Sequence, residues 1–155
     1  MPKEKIIDLL YELMKDSKRS DRELAKIVRV SQPTVTRMRK VLEKQGYIRE
    51  YTVIPYLEKL GFEIVALTFI SANLTDDLRD WISKNSKILF SCFGEGLDGR
   101  ALLLVSVHKN FTEYSKFADE IRRLFGSNIA SFKVFLSSLN VDVVKHFSLK
   151  NLEGV

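Results

Sequence analysis

All ten phenylalanines and the single tryptophan lie at or beyond Phe62, whereas the whole net charge of +5 lies before it. Residues 1–60 carry 14 Lys and Arg against 9 Asp and Glu, and residues 61–155 carry 11 of each. Phenylalanine and tryptophan are therefore available only to the later stretch, and the first sixty residues must close a core mainly from aliphatic side chains. In a chain of 155 residues that division fits two small modules rather than one mixed core. The basic excess is concentrated further: residues 18–49 hold ten basic side chains against Asp21, Glu23 and Glu43. One module thus suits a polyanion and the other a large apolar core. A basic excess also serves solubility, so the residue patterns must decide between the two.

Several classes drop out early. No apolar run approaches the roughly 18 residues of a membrane span, and the charged start Met1-Pro2-Lys3-Glu4-Lys5 is unlike a secretory leader, so an intracellular, cytoplasmic protein is expected. One cysteine, Cys92, excludes an internal disulfide and multi-cysteine zinc sites; in a strand it is expected as a small core residue. His108 and His146 lack acidic or thiol neighbours at ligand spacing, and no Walker loop, nucleophile elbow or carboxylate pair is present. No metal, no cofactor and no catalytic residue are expected.

In the first module, Ile6, Ile7, Leu9, Leu10, Leu13 and Met14 recur at helical spacing with Lys5, Asp8, Glu12 and Lys15 on the other side. A second helix opens at Ser20, which with Glu23 has the spacing of a capping box, and runs through Leu24, Ala25, Ile27 and Val28. A third opens at Ser31 as N-cap, has Pro33 in its first turn, and stops at Gly46. Three helices with a tight turn at Arg29–Ser31 make a helix-turn-helix. At about 100° per residue, Val35, Met38, Val41 and Leu42 share one side of the third helix. Pro33, Thr36, Arg37, Lys40 and Lys44 lie opposite, with Gln32, Thr34 and Arg39 at the N-terminal end or flanks. Amide and guanidinium groups can read base edges, and lysines and hydroxyls can hold phosphates. Arg22 and Arg49 complete the candidate DNA contacts. The plain alternative is a solvated face of helix-forming Lys and Arg. Beyond Gly46, Tyr47–Ile54 is β-branched and aromatic, which suits a short two-stranded wing or an extended linker, and Tyr56–Leu60, between Pro55 and Gly61, forms a junction.

Glu23-Leu24-Ala25, Val30-Ser31-Gln32-Pro33-Thr34-Val35, the stretch from Arg39 to Ile48, and above all the connector Ile48-x-x-Tyr51-Thr52, Pro55, Leu60-Gly61 resemble the Lrp/AsnC, or feast/famine, family of prokaryotic transcription regulators. The chain departs from that pattern at Arg29, where the turn commonly has glycine, and lacks the family's opening acidic helix-cap motif.

The second module reads as a strand at Phe62–Ile70, a helix capped by Thr75, a strand at Ile88–Phe93, a turn rich in glycine, a strand at Ala101–Val107, a helix opened by Asn110 and Glu113, and a strand at about Ile129–Leu139. Phe111, Tyr114, Phe117, Ala118, Ile121, Leu124 and Phe125 form the stripe of its second helix. The order βαββαβ is that of a ferredoxin-like sandwich. The expected fold is therefore α+β: a winged helix-turn-helix over residues 1–54, a connector at 55–61, the sandwich at 62–140, and a mildly amphipathic tail at 141–155 carrying Val143, Val144, Phe147 and Leu149. The same order occurs in the family's regulatory domain. Its strands are more apolar than one wet face requires, so a second chain is expected against the sheet. The resemblance implies a homodimer, and tetramers or octamers built from it; two recognition helices then call for a pseudo-palindromic site on double-stranded DNA.

The family's glycine-x-aromatic-aspartate element beside an amino-acid effector site corresponds here to Gly94, Gly96, Asp98 and Gly99, with Leu97 for the aromatic and an extra glycine. Backbone N–H groups would meet a carboxylate and Asp98 an ammonium; the alternative is a hairpin turn alone. The expected function is sequence-specific transcriptional regulation by DNA binding, modulated by an amino acid or other small effector. Two other readings stay open: a non-specific architectural DNA-binding protein without an effector, and an amino-acid-sensing regulatory subunit acting on a protein partner.

Overall fold

The computed structural model describes residues 3–73, 75–95, 99–150 and 152. The chain divides into two compact units, one reaching to Ile54 and taking in the tail from His146, the other Pro55–Lys145.

The first unit is a bundle of α1 (Lys3–Lys15), α2 (Asp21–Val28) and α3 (Gln32–Lys44). Its core is Leu9, Leu13, Leu24, Ala25, Val28, Val35, Met38 and Leu42. Each of its fully buried Leu, Val and Met side chains contributes about 1.5–3 kcal/mol relative to exposure, and no aromatic is needed. The capping box at the start of α2 is complete: the Glu23 N–H donates to Ser20 Oγ at 3.3 Å and the Ser20 N–H to Glu23 Oε2 at 2.8 Å. Ser31 precedes α3 in the extended conformation of an N-cap but makes no side-chain cap; its hydroxyl is 2.8 Å from Thr34 Oγ1 instead. After α3, residues 48–56 form neither a helix nor a paired strand. A single 3₁₀ turn, Leu57–Leu60, follows and ends at Gly61 with φ 83°, a backbone state that glycine adopts without strain.

In the second unit, β1 (Ile64–Ala72), β2 (Ile88–Glu95), β3 (Arg100–His108) and β4 (Ile129–Ser138) form an antiparallel sheet in the order β2-β3-β1-β4. Helices α4 (Asp76–Lys84) and α5 (Phe111–Phe125) supply the remaining elements of the βαββαβ sandwich. Thr75 Oγ1 accepts from the Leu78 N–H at 3.3 Å, and Asn110 Oδ1 from the Glu113 N–H at 2.9 Å. The α5 box is rearranged, because the Glu113 carboxylate takes the Lys109 N–H at 2.6 Å. Inward positions Ala66, Ile70, Leu102 and Leu104 meet Leu78, Tyr114, Phe117, Ala118, Ile121 and Phe125. Trp81 packs over Phe117 and Phe125 at ring separations of 5.7 and 5.9 Å. Two members of the expected α5 stripe, Phe111 and Leu124, are exposed.

The core position expected for Cys92 is overturned: it is exposed. Strand β2 is an edge strand, and a bulge between Ile88 and Phe90 resets its alternation, so Phe93 faces the core and Phe90 and Cys92 the outer side of the sheet. The described part of the tail has no helix or strand. Residues 141–150 contain only turns and bends, and Val144, Phe147 and Leu149 are exposed.

Candidate nucleic-acid interface

Two left-handed residues bracket α3. Arg29 takes φ 56°, ψ 55°, the only positive φ outside glycine among the described residues, and the Val30 N–H closes the turn on the Ala25 carbonyl at 3.0 Å. Lys5 Nζ donates to the Arg29 carbonyl at 3.1 Å, tying α1 to the same turn. At the far end Gly46, φ 75°, releases the chain from α3.

Between those ends, Val35, Met38 and Leu42 are fully buried. Gln32, Pro33, Arg37, Lys40 and Lys44 are exposed on the remaining surface of α3, and Arg22 is exposed on α2. Among the described residues none of Arg22, Arg37, Lys40 and Lys44 has a carboxylate within ion-pair distance. These side chains leave a positive field over the face opposite the core.

The other candidate side chains are engaged. Thr36 Oγ1 donates to Asp21 Oδ2 at 2.6 Å, and Arg39 forks onto Asp21 Oδ1 through Nη2 at 2.8 Å and Nε at 3.2 Å. Helical spacing explains this: Arg39 lies beside the buried stripe, close enough to α2 to be largely covered, whereas Arg37 and Lys40 are exposed. The Thr36 hydroxyl, and then the Arg39 guanidinium, hold the Asp21 carboxyl below its ordinary range. Tyr51 Oη donates to Glu43 Oε1 at 2.9 Å; burial and the Glu43 carboxylate hold the phenol above its usual range, against the opposing pull of Arg39. Thr34 is paired with Ser31, and Arg49 with Glu50 at 2.7 Å on the surface. Asp21 is the residue that periodicity missed. Its signal was slight: an acid at the first position of α2, in a stretch otherwise rich in cations.

The glycine hairpin of the second unit is described only in part. Gly94 lies near the end of β2, and Gly99 precedes β3 with φ 116°. Gly96 and Asp98 lie outside the described residues.

Residues 3–49 match the family model of winged helix-turn-helix DNA-binding domains. An HTH-type transcriptional regulator of Pyrococcus abyssi is 26% identical over 132 residues, 84% of this chain and 88% of that protein. The crystal structure of an AsnC family transcriptional regulator from Agrobacterium tumefaciens superposes with a TM-score of 0.79 over 99% of this chain and 100% of that one, at 17% identity. The fold is that of the Lrp/AsnC-type regulators. A transcriptional regulator of Neisseria meningitidis crystallised with L-Met has a TM-score of 0.76 and 18% identity, again over 99% and 100% of the two chains. The match to the winged helix-turn-helix model spans α1, α2 and α3, and the exposed cations of α3 lie within it.

Proposed function

We propose that this chain is a sequence-specific DNA-binding transcriptional regulator that inserts α3 into the major groove. The observation that carries the reading is the exposed row of Gln32, Pro33, Arg37, Lys40 and Lys44, opposite buried Val35, Met38 and Leu42 and without acidic partners among the described residues. Gln32 and Arg37 read base edges; Lys40, Lys44, Arg22 and Arg49 bind phosphates. Thr36 and Arg39 have a double role: their bonds to Asp21 hold α3 on α2, and the Thr36 hydroxyl and the outer edge of the Arg39 fork face the groove beside Thr34. The proposed work is binding, without a catalytic step. The reading places the protein in the cytoplasm; no described helix is long and apolar enough to cross a membrane.

The outer face of the sheet supports a homodimer. Phe90 and Phe135 are more than half exposed, beside partly buried Leu67, Phe69, Leu103 and Val105. A second copy covers this face, and two α3 helices then meet a pseudo-palindromic site. Tetramers or octamers add further half-sites. Supported by the L-Met complex of the Neisseria protein, an amino acid at the hairpin of Gly94, Gly96, Asp98 and Gly99 modulates the assembly.

The test is selection of bound genomic fragments followed by anisotropy titration. Arg37→Ala should weaken the selected site by about 1–3 kcal/mol, about five- to 150-fold, with a smaller loss on random DNA. Affinity should fall roughly ten-fold or more between low and moderate salt. Equal losses on both DNAs favour the architectural reading, and no DNA shift at low salt favours a subunit acting on a protein partner.

A further inference from the structure

At one end of the sheet, where β1 and β2 finish and β3 and β4 begin, a cleft of about 480 Å³ opens that is separate from α3. Its walls include Ser71, Asn73, Arg79, Phe93, Arg100 and Asn128. The volume falls within the roughly 300–1,000 Å³ of small-molecule sites.

The fold brings these groups together from four directions. A register shift between Ser71 and Ala72 bends the end of β1 as it leaves the sheet. The Thr75 cap starts α4 so that Arg79 falls one turn in. Arg100 is the first residue of β3, and its guanidinium lies over the Phe93 ring, 5.5 Å from the centroid. That contact holds the guanidinium beside the Phe93 ring at the cleft wall. Asn128 comes from the turn before β4.

The charge of the cleft is unbalanced. Among the described residues neither Arg79 nor Arg100 has a carboxylate within ion-pair distance, although Arg122 in the same unit sits 3.3 Å from Asp119. Glu95 faces Arg100 in the strand register, yet it does not line the cleft. None of the described lining residues is acidic. Two guanidiniums on one cleft repel each other, and an anion between them removes that repulsion while taking planar, bidentate hydrogen bonds.

We propose that this cleft binds a compact dianion, a small dicarboxylate or a phosphate monoester. Arg79 and Arg100 each take one anionic charge, the Asn73 and Asn128 carboxamides donate to the remaining oxygens, and Phe93 walls a short carbon chain. A zwitterionic amino acid brings one carboxylate and an ammonium that the described walls do not match. The cleft uses residues other than the glycine hairpin, and its occupation does not depend on the DNA-binding reading.

Isothermal titration of the full chain with succinate, inorganic phosphate, acetate and L-methionine tests this. Succinate or phosphate should saturate, with acetate and methionine at least ten-fold weaker; which of the two saturates identifies the source of the dianion. Arg79→Gln and Arg100→Gln should each weaken that binding at least ten-fold, and Arg123→Gln, an exposed arginine outside the cleft, should leave it unchanged. Arg100→Lys keeps the charge without the fork and should fall between, which covers the case in which Arg100→Gln disturbs the edge of β3. No saturation by either dianion up to about 10 mM, or binding insensitive to both glutamine variants, overturns the proposal. A DNA titration on the same samples separates the readings: absent ligand binding with DNA affinity intact overturns the cleft alone.

Discussion

Asp21, Thr36 and Arg39 in the first unit and Thr68, His108 and Tyr114 in the second are polar clusters of similar size, each set beside an apolar core. They are completed to different degrees. The first closes on itself through three bonds of 2.6–3.2 Å. In the second, Thr68 Oγ1, His108 Nδ1 and Tyr114 Oη are buried and have no hydrogen-bond partner among the described residues, and only His108 Nε2 is engaged, 2.9 Å from Ser106 Oγ. The first cluster holds a charge because its partner is in place, whereas desolvation keeps the buried one neutral.

The sharpest way to break that contrast is acid. His108 is fully buried, and desolvation, with the Lys87 charge adding to it, pushes its pKa down to about 4 against the partial opposition of Glu113. Its folded value lies below the ordinary 6.5, so the unfolded chain binds the proton first. Stability is complete above about pH 6.5 and is lost as pH falls towards 4, by on the order of 3 kcal/mol in all. Trp81, in the same core, reports this as a falling denaturation midpoint by fluorescence. His108→Leu should flatten the dependence; an unchanged slope in that variant would assign it elsewhere. Asp21 loses stability in the same direction but at lower pH. Its carboxyl is held below the ordinary range, so its contribution persists through the window that weakens His108 and fades only at more acid pH.

Asp21→Ala is the next largest effect expected. It leaves the Arg39 guanidinium, whose side chain is only 20% exposed, and the Thr36 hydroxyl without their acceptor. A lost hydrogen bond to a charged group is worth about 1.5–3 kcal/mol, and partial exposure returns some of it, so a loss of about 2 kcal/mol in the helical transition is expected. DNA affinity should fall as well, because α3 loses its tie to α2. Tighter DNA binding in this variant would mean that Asp21 holds Arg39 back from the groove.

These clusters also show what a linear reading captures. The buried and exposed faces of α3 follow from helical period alone, so Val35, Met38 and Leu42 against Arg37 and Lys40 were legible. Asp21 was not, because a partner 15 or 18 residues away depends on how two helices cross. Cys92 was misplaced for a related reason. In a strand apolar on both faces, alternation does not say which face is inner, and the bulge after Ile88 moves the register by one residue. Ser31 has the right residue type for a cap, but Thr34 competes for its hydroxyl. The departure at Arg29, by contrast, was legible as a backbone problem, since the turn between α2 and α3 requires a conformation that side chains resist.

Arg29 gives the smallest expected effect and marks where the first unit carries its cost. That unit satisfies its polar cluster and strains its backbone; the second keeps positive φ to glycine among the described residues and leaves polar atoms unpaired. A left-handed residue with a Cβ costs about 1–2 kcal/mol. Glycine removes that strain and adds about 0.5–1 kcal/mol of chain entropy to the unfolded state. Arg29→Gly should therefore stabilise the helical transition by about 0.5–1 kcal/mol and leave the Trp81 transition where it is. Arg29→Ala keeps the Cβ and removes only the charge, so it should gain nothing. A gain in both variants would mean that the crowded cations around Lys5 and Lys26, rather than the turn, set the cost at this position.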